Sequence, residues 1–202
     1  MYLAKTPELL KPLYKDLLWH VDTTRKELFL TFDDGPIPEV TPWVLQVLRS
    51  YNAKATFFCI GKNIEENQWI YNMIKKDGHS IGNHTYDHLN GWRTSSRAYY
   101  RSVIQCSRLT GSDLFRPPYG RIKREQASGL LSRFKIVMWD VLSGDFDTKA
   151  SPKKCLSNVV DNASRGSIIV FHDSMKARER MQYALPRVLE HFSLMGYAFR
   201  AL

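Results

Sequence analysis

A parallel α/β fold in a single domain is what this sequence predicts, on three observations. Short apolar runs alternate with stretches of helical periodicity about seven times along the chain. A length of 202 residues suits one domain built around one core. Polar residues that can do chemistry cluster just after the apolar runs, where the strands of such folds end and their working residues sit.

The predicted strands are residues 27–32, 54–59, 80–83, 113–115, 135–139, 167–171 and 197–199. They are short and apolar, as strands covered on both faces should be. Helical patterns fill the gaps. Residues 38–50 carry Val40, Trp43, Val44, Val47 and Leu48 on one face, and residues 64–76, 97–109 and 122–132 follow. Ser151 is a good N-cap with Pro152 at the first helical position, opening a helix to about Ala163. Residues 178–194 form the last helix, where Pro186 is expected to introduce a kink. Residues 1–26 are expected to form a helical extension packed on the domain. The same segment is amphipathic enough for peripheral contact with a membrane surface. An open doubly wound sheet and a closed barrel both fit this alternation.

Composition narrows the class. Aromatic residues make up 12% of the chain and hydrophobic residues 44%, which argues against disorder. The net charge of +9 comes from scattered lysines and arginines with no long basic run, so solubility explains it and nucleic-acid binding is not expected. The three cysteines, Cys59, Cys106 and Cys155, are odd in number and widely spaced, which predicts reduced, buried thiols. Lys5, Glu8, Lys11, Lys15 and Asp16 interrupt the apolar character that a secretory signal needs, and no run of 18 apolar residues exists. A cytoplasmic location is therefore expected, with association to the cell envelope as the alternative.

Five segments carry the chemistry. Asp33 and Asp34 follow the first strand; adjacent carboxylates repel, so holding both near a buried strand end favours a cation between them, although Asp-Asp-Gly is also a common surface turn. His84 and His88 follow the third strand at i and i+4, the spacing that lets two imidazoles on one helical turn grip one metal. Asp34 would complete a His-His-carboxylate set that leaves coordination positions open. Arg116-Pro117-Pro118-Tyr119-Gly120 follows the fourth strand: a rigid path that can aim the Tyr119 amide, behind an arginine able to pair with a carboxylate, or else a stiff connector. His172 ends the sixth strand, placed as a general acid or as a satisfied core histidine. Asp145 is suited to hold its ring, while Asp140 and Asp173 are rival carboxylates that could equally cap helices.

In order, these segments resemble the five motifs of the polysaccharide deacetylase family, also called carbohydrate esterase family four. Thr31-Phe32-Asp33-Asp34 resembles the first, His84 to His88 the second, Arg116 to Gly120 the third, Ser143-Gly144-Asp145-Phe146 the fourth and Phe171-His172 the fifth. The likeness spans about residues 27 to 200. It implies a distorted (β/α) barrel short of eight repeats, occupying residues 27–202. It implies a metal-dependent hydrolase that removes the acetyl group from an N-acetylhexosamine-containing glycan of chitooligosaccharide or peptidoglycan type. In that family's pattern Asp34, His84 and His88 hold a divalent metal, expected here to be zinc, with cobalt or nickel admitted. Asp33 is the general base, Arg116 orients it, and the backbone N–H of Tyr119 receives the oxyanion. His172, supported by Asp145, is the general acid. Pro118, Trp139, Phe146 and Phe171 are expected around the substrate. Two positions depart from the pattern: Phe146 stands where tryptophan is usual, and Phe171 where leucine is usual. The same site could serve another amide or an O-acetyl ester. A non-catalytic glycan-binding relative would be expected to have lost a ligand or the acid, and this chain keeps them all. The expected partner is the N-acetylated glycan, and the expected state a monomer.

Overall fold

The computed structural model describes residues 2–11 and 14–202. Its elements are β1 (Glu27–Asp33), α1 (Thr41–Ser50), β2 (Ala55–Cys59), α2 (Gly61–Glu66), α3 (Gln68–Lys76), β3 (Ser80–Asn83), α4 (Ser96–Thr110), β4 (Leu114–Phe115), α5 (Arg124–Leu130), β5 (Lys135–Ile136), β6 (Val141–Leu142), α6 (Pro152–Val160), β7 (Ile168–His172), α7 (Arg178–Leu194) and β8 (Ala198–Phe199). The strands run in the order β5-β4-β3-β2-β1-β7-β6, with β8 beside the start of β1. Every paired strand is parallel. The result is a distorted, incompletely closed barrel with helices outside.

Side-chain alternation sorts the strands into two faces. Leu28, Leu30 and Phe32 of β1, Ala55, Phe57 and Cys59 of β2, and Ile169 and Phe171 of β7 join one core with side chains from α1, α3, α6 and α7. Phe57, Phe32 and Phe171 stack in a row, with centroids 5.0 and 6.1 Å apart. Burying each such ring contributes roughly 1.5–3 kcal/mol. The intervening residues, Thr31, Asp33, Thr56, Phe58, Val170 and His172, belong to the other face, inside the barrel. All three cysteines are buried and free.

Three expectations are corrected. Residues 64–76 are two helices, because Asn67 leaves helical geometry (φ −132°, ψ 48°) and its side-chain amide donates to the carbonyls of Pro36 and Asn63. Residues 135–139 are not one strand. The chain passes from β5 at one edge of the sheet to β6 at the other, with Val137 N–H bonded to Phe115 and Asp140 N–H bonded to Ile168, so this stretch bridges the barrel's seam. The N-terminal segment is not an α-helix: among its described residues it runs extended with short turns, the first at Glu8–Leu10. Its backbone is committed to the seam instead, where Leu18 bonds Ile136 and Met138, and Thr6 bonds Asp140. The other helices follow the sequence signals. Ser151 caps α6 by accepting from Lys154 N–H at 3.1 Å, and α7 continues through Pro186.

Candidate active site

The functional side chains gather at the C-terminal rim of the sheet. Asp33 and His172 are register partners on the adjacent parallel strands β1 and β7, so they stand side by side on the same face. Arg116 follows β4 and is wholly buried. Its guanidinium donates to Asp33 Oδ1 at 2.7 Å, to Thr31 Oγ1 at 2.6 Å and to the Met138 carbonyl at 2.8 Å, while its Cζ lies 4.1 Å from the centroid of the Phe58 ring. A buried guanidinium needs such partners. Burial pulls the Arg116 pKa down and the Asp33 carboxylate opposes that pull.

Asp34 leaves the strand with φ at 84°. Its carbonyl accepts from the Asn63 side chain at 2.7 Å. The next turn is held by Asp173, whose carboxylate accepts from Gly35 N–H at 3.0 Å and from Thr41 Oγ1 at 2.6 Å. A Cβ on Gly35 would lie 2.0 Å from Asp173 Oδ2, so only glycine fits that approach. Burial, with the neighbouring Asp34 charge, pushes the Asp173 carboxyl up to about 8 against the hydrogen bond from Thr41.

His84 and His88 come together without the expected helical turn. Asn83 Oδ1 accepts from Thr85 N–H at 2.8 Å and Thr85 Oγ1 accepts from Leu89 N–H at 3.1 Å, folding the segment into a tight loop. Thr85 (φ 63°), His88 (φ 55°) and, after β4, Tyr119 (φ 62°) all adopt left-handed backbone. With Asp34 they place four such strained residues around one spot, a concentration typical of functional sites. His84 Nδ1–H donates to the Arg116 carbonyl at 2.8 Å, leaving Nε2 with its lone pair free. Burial lowers the His84 pKa to about 4, so the ring is neutral, as a metal ligand must be.

Asp34 Oδ1 lies 3.2 Å from His88 Nε2 and 3.7 Å from His84 Nε2. The three ligand atoms all fall within 4.8 Å of one another. Asp34 Oδ1 is buried yet accepts no hydrogen bond from the described residues, an orphan acceptor aimed at two imidazole nitrogens. The Asp34 carboxyl stays below its usual range although burial opposes this, because of His88, His172 and His84. Two imidazoles and one carboxylate with an unsatisfied oxygen fit a divalent cation.

Beside this set, His172 Nδ1–H donates to Asp145 Oδ1 at 2.7 Å, and His172 N–H donates to Asp145 Oδ2 at 2.8 Å. Burial alone would lower the His172 pKa, but the buried Asp145 carboxylate raises it to about 9. Asp33, Asp34, His84, His88 and His172 line a cavity of about 850 Å³ whose walls include Tyr119, Trp139, Phe146 and Val170, with Arg121, Lys149 and Lys176 also around it.

A family profile described as polysaccharide deacetylase matches residues 20–132, more than half of the chain. The chain belongs to the polysaccharide deacetylase family. It is 34% identical over 193 residues to a peptidoglycan-N-acetylglucosamine deacetylase of Bacillus cereus, covering 90% of this chain and 88% of that protein. It is 35% identical to the chitooligosaccharide deacetylase of Azorhizobium caulinodans over 76% of each chain. The crystal structure of the Bc1960 peptidoglycan N-acetylglucosamine deacetylase superposes with a TM-score of 0.88 at 32% identity, covering 98% of this chain and 95% of that one. Other curated relatives are longer, and the chain spans 57% and 38% of two of them.

Not every residue anticipated at the site of this polysaccharide deacetylase lines its cavity. Phe171 belongs to the core, fully buried against Phe32, because alternation along β7 turns Val170 and His172 inward and Phe171 outward. Val170 is the wall residue there. Pro118 is buried beneath the Tyr119 turn and is not part of the cavity lining. Asp140 lies at the opposite end of β7, near Ile168, and accepts from Lys5 at 2.6 Å, Lys11 at 3.0 Å and Ser167 at 2.6 Å. Two contributors escaped the sequence reading: Asn63, which with Asp173 fixes the Asp34 loop, and Tyr2, which lines the cavity. Asp173, next to His172, was visible only as one of several carboxylates. Among the described residues no helix is long and apolar enough to cross a membrane.

Proposed function

We propose that this chain is a metal-dependent deacetylase that hydrolyses the N-acetyl amide of an N-acetylhexosamine-containing glycan, of peptidoglycan or chitooligosaccharide type. The observation that carries this reading is the pairing of Asp33 with His172 on neighbouring strands, beside the Asp34, His84 and His88 cluster. The names of the Bacillus cereus and Azorhizobium caulinodans relatives support the substrate class. Asp34, His84 and His88 would hold a divalent cation, which when bound polarises the amide carbonyl and lowers the pKa of a water molecule. Zinc suits this mixed nitrogen and oxygen donor set, and cobalt and nickel are also accepted by it.

In this hypothesis the chain's own residues handle the protons. Asp33, ionised and aimed by Arg116, takes a proton from the attacking water. The Tyr119 backbone N–H stabilises negative charge developing on the carbonyl oxygen. His172, kept protonated by Asp145, gives its proton to the nitrogen as the C–N bond breaks. The products are acetate and a free amino sugar. The test is acetate release from N-acetylglucosamine oligomers and peptidoglycan, with acetylated xylan and small amides as comparators. Release that stops with chelator and returns with zinc, cobalt or nickel is the expected result. Chelator-insensitive release, or release from the ester alone, would overturn the proposal.

A further inference from the structure

The N-terminal segment supplies part of the cavity wall. Leu142 N–H donates to the Ala4 carbonyl at 2.8 Å, Thr6 N–H donates to the Asp140 carbonyl at 2.9 Å, and Lys5 pairs antiparallel with Val141. Continuing that antiparallel register backwards sets Tyr2 opposite Gly144. The side chains agree: a Cβ on Gly144 (φ 77°) would lie 2.1 Å from the Tyr2 hydroxyl, so the glycine leaves the room that Tyr2 fills. The Tyr2 ring stands 5.1 Å from that of Phe146, tilted by 58°, and Phe146 stands edge-on 5.3 Å from the His172 ring. Tyr2 and Phe146 both line the cavity, with Leu142 and Val170 beside them.

The strap is anchored away from the chemistry. Lys5 Nζ donates to the buried Asp140 carboxylate at 2.6 Å and to the Asn162 carbonyl at 3.0 Å, and Thr6 Oγ1 donates to the Trp139 carbonyl at 2.8 Å. Residues 4–6 therefore pair along the edge of β6 and deliver one aromatic ring against Phe146, which itself packs on His172. His172 must reach the amide nitrogen, from which the acyl group and the sugar diverge. The sugar has to leave through the open mouth. The apolar side made by Phe146, Leu142, Val170 and Tyr2 suits the hydrocarbon end of the acyl group.

We infer that Tyr2 is a specificity-determining residue: packed at a tilt against Phe146, it closes the acyl side of the cavity and limits the site to a small acyl group. This rests on the deacetylase reading above. The test uses the full chain and one glucosamine oligomer prepared as its N-acetyl, N-propionyl and N-butyryl forms. Excluding one methylene from a closed pocket is worth about 10- to 200-fold in selectivity. Tyr2→Ala, and Tyr2→Leu as a variant that keeps apolar bulk at the strap, should raise the propionyl-to-acetyl ratio of kcat/KM by at least about 10-fold on that scale. Tyr2→Phe, which keeps the ring, should hold the parent's ratio. Equal ratios in Tyr2→Ala, Tyr2→Leu and the parent would overturn the assignment. Should the parent release no acyl acid from any of the three, the deacetylase reading fails and binding decides the role of Tyr2. Calorimetric affinity for the N-butyryl oligomer should then rise about 10-fold in Tyr2→Ala on the same scale. Coincident affinities across the variants would remove Tyr2 from the site.

Discussion

Replacing Asp145 with asparagine isolates the electrostatic half of its contact with His172. Asparagine keeps the shape and one carbonyl acceptor for the two donors, which lie 2.7 and 2.8 Å from the carboxylate, but removes the charge. The rise of the His172 pKa from 6.5 to about 9 corresponds to roughly 3 kcal/mol favouring the protonated ring. Burial opposes that rise, and Asp34 and Asp33 support it more weakly than Asp145 does, so without the Asp145 charge the ring falls back towards 6.5. A raised pKa keeps the acid form through neutrality and loses it as pH climbs through about 9. At pH 7.5 the protonated fraction then falls from nearly all to about one tenth, and at pH 9 from about half to well under one hundredth. The deficit of Asp145→Asn should therefore widen from roughly 10-fold at pH 7.5 to roughly 100-fold at pH 9. Profiles of kcat/KM for acetate release against pH, measured on both proteins at saturating zinc, read this as a displaced alkaline limb. A constant deficit at every pH would mean that His172 is not the acid, or that Asp145 does not set its proton affinity.

Asp33→Asn should keep the fold and lower kcat by about 10² to 10⁴ with little change in KM, as removal of a general base does, in steady-state assays of acetate release. Arg116→Met leaves the Asp33 carboxylate buried beside an apolar chain. A cost of about 3–5 kcal/mol and a Tm lower by roughly 10 °C are expected in calorimetry, and an unchanged Tm would show that the ion pair is dispensable. His79 contributes, with His84, to the loss of stability in acid. Burial, reinforced by Lys54, lowers its pKa to about 4, and its unprotonated Nδ1 accepts from Ala55 N–H at 3.2 Å. The unfolded chain, with this group at 6.5, binds the proton first, so stability drops as pH falls from about 6.5 to 4, by about 2–3 kcal/mol. His79→Asn should flatten that slope in urea denaturation measured at pH 7 and pH 4.5.

The parts of this protein legible in its sequence are those fixed by local pattern. β1, β2, β3 and β7 read as apolar runs because each is covered on both faces, and the polar residues at their C-terminal ends mark the rim where Asp33, Asn83 and His172 stand. What could not be read was set by long-range backbone pairing. The stretch 135–139 reads as one apolar run, yet the chain there crosses from one edge of the sheet to the other, because Val137 N–H bonds Phe115 while Asp140 N–H bonds Ile168 and Ser143 N–H bonds Val170. The N-terminal leucines suggested a helix face, but a backbone that bonds to both sides of the seam must stay extended. The same cause hid Tyr2, since only the register of Lys5 against Val141 carries it to the cavity. His84 and His88 meet near Asp34, but through a loop rather than the helical turn that their spacing predicts. Spacing constrained which atoms could meet, while Asn83 and Thr85 supplied a tighter path by which they do. Residue spacing thus brings out the candidate ligand set and the proposed acid–base pair, whereas the wall proposed to select the substrate depends on segments far apart in sequence.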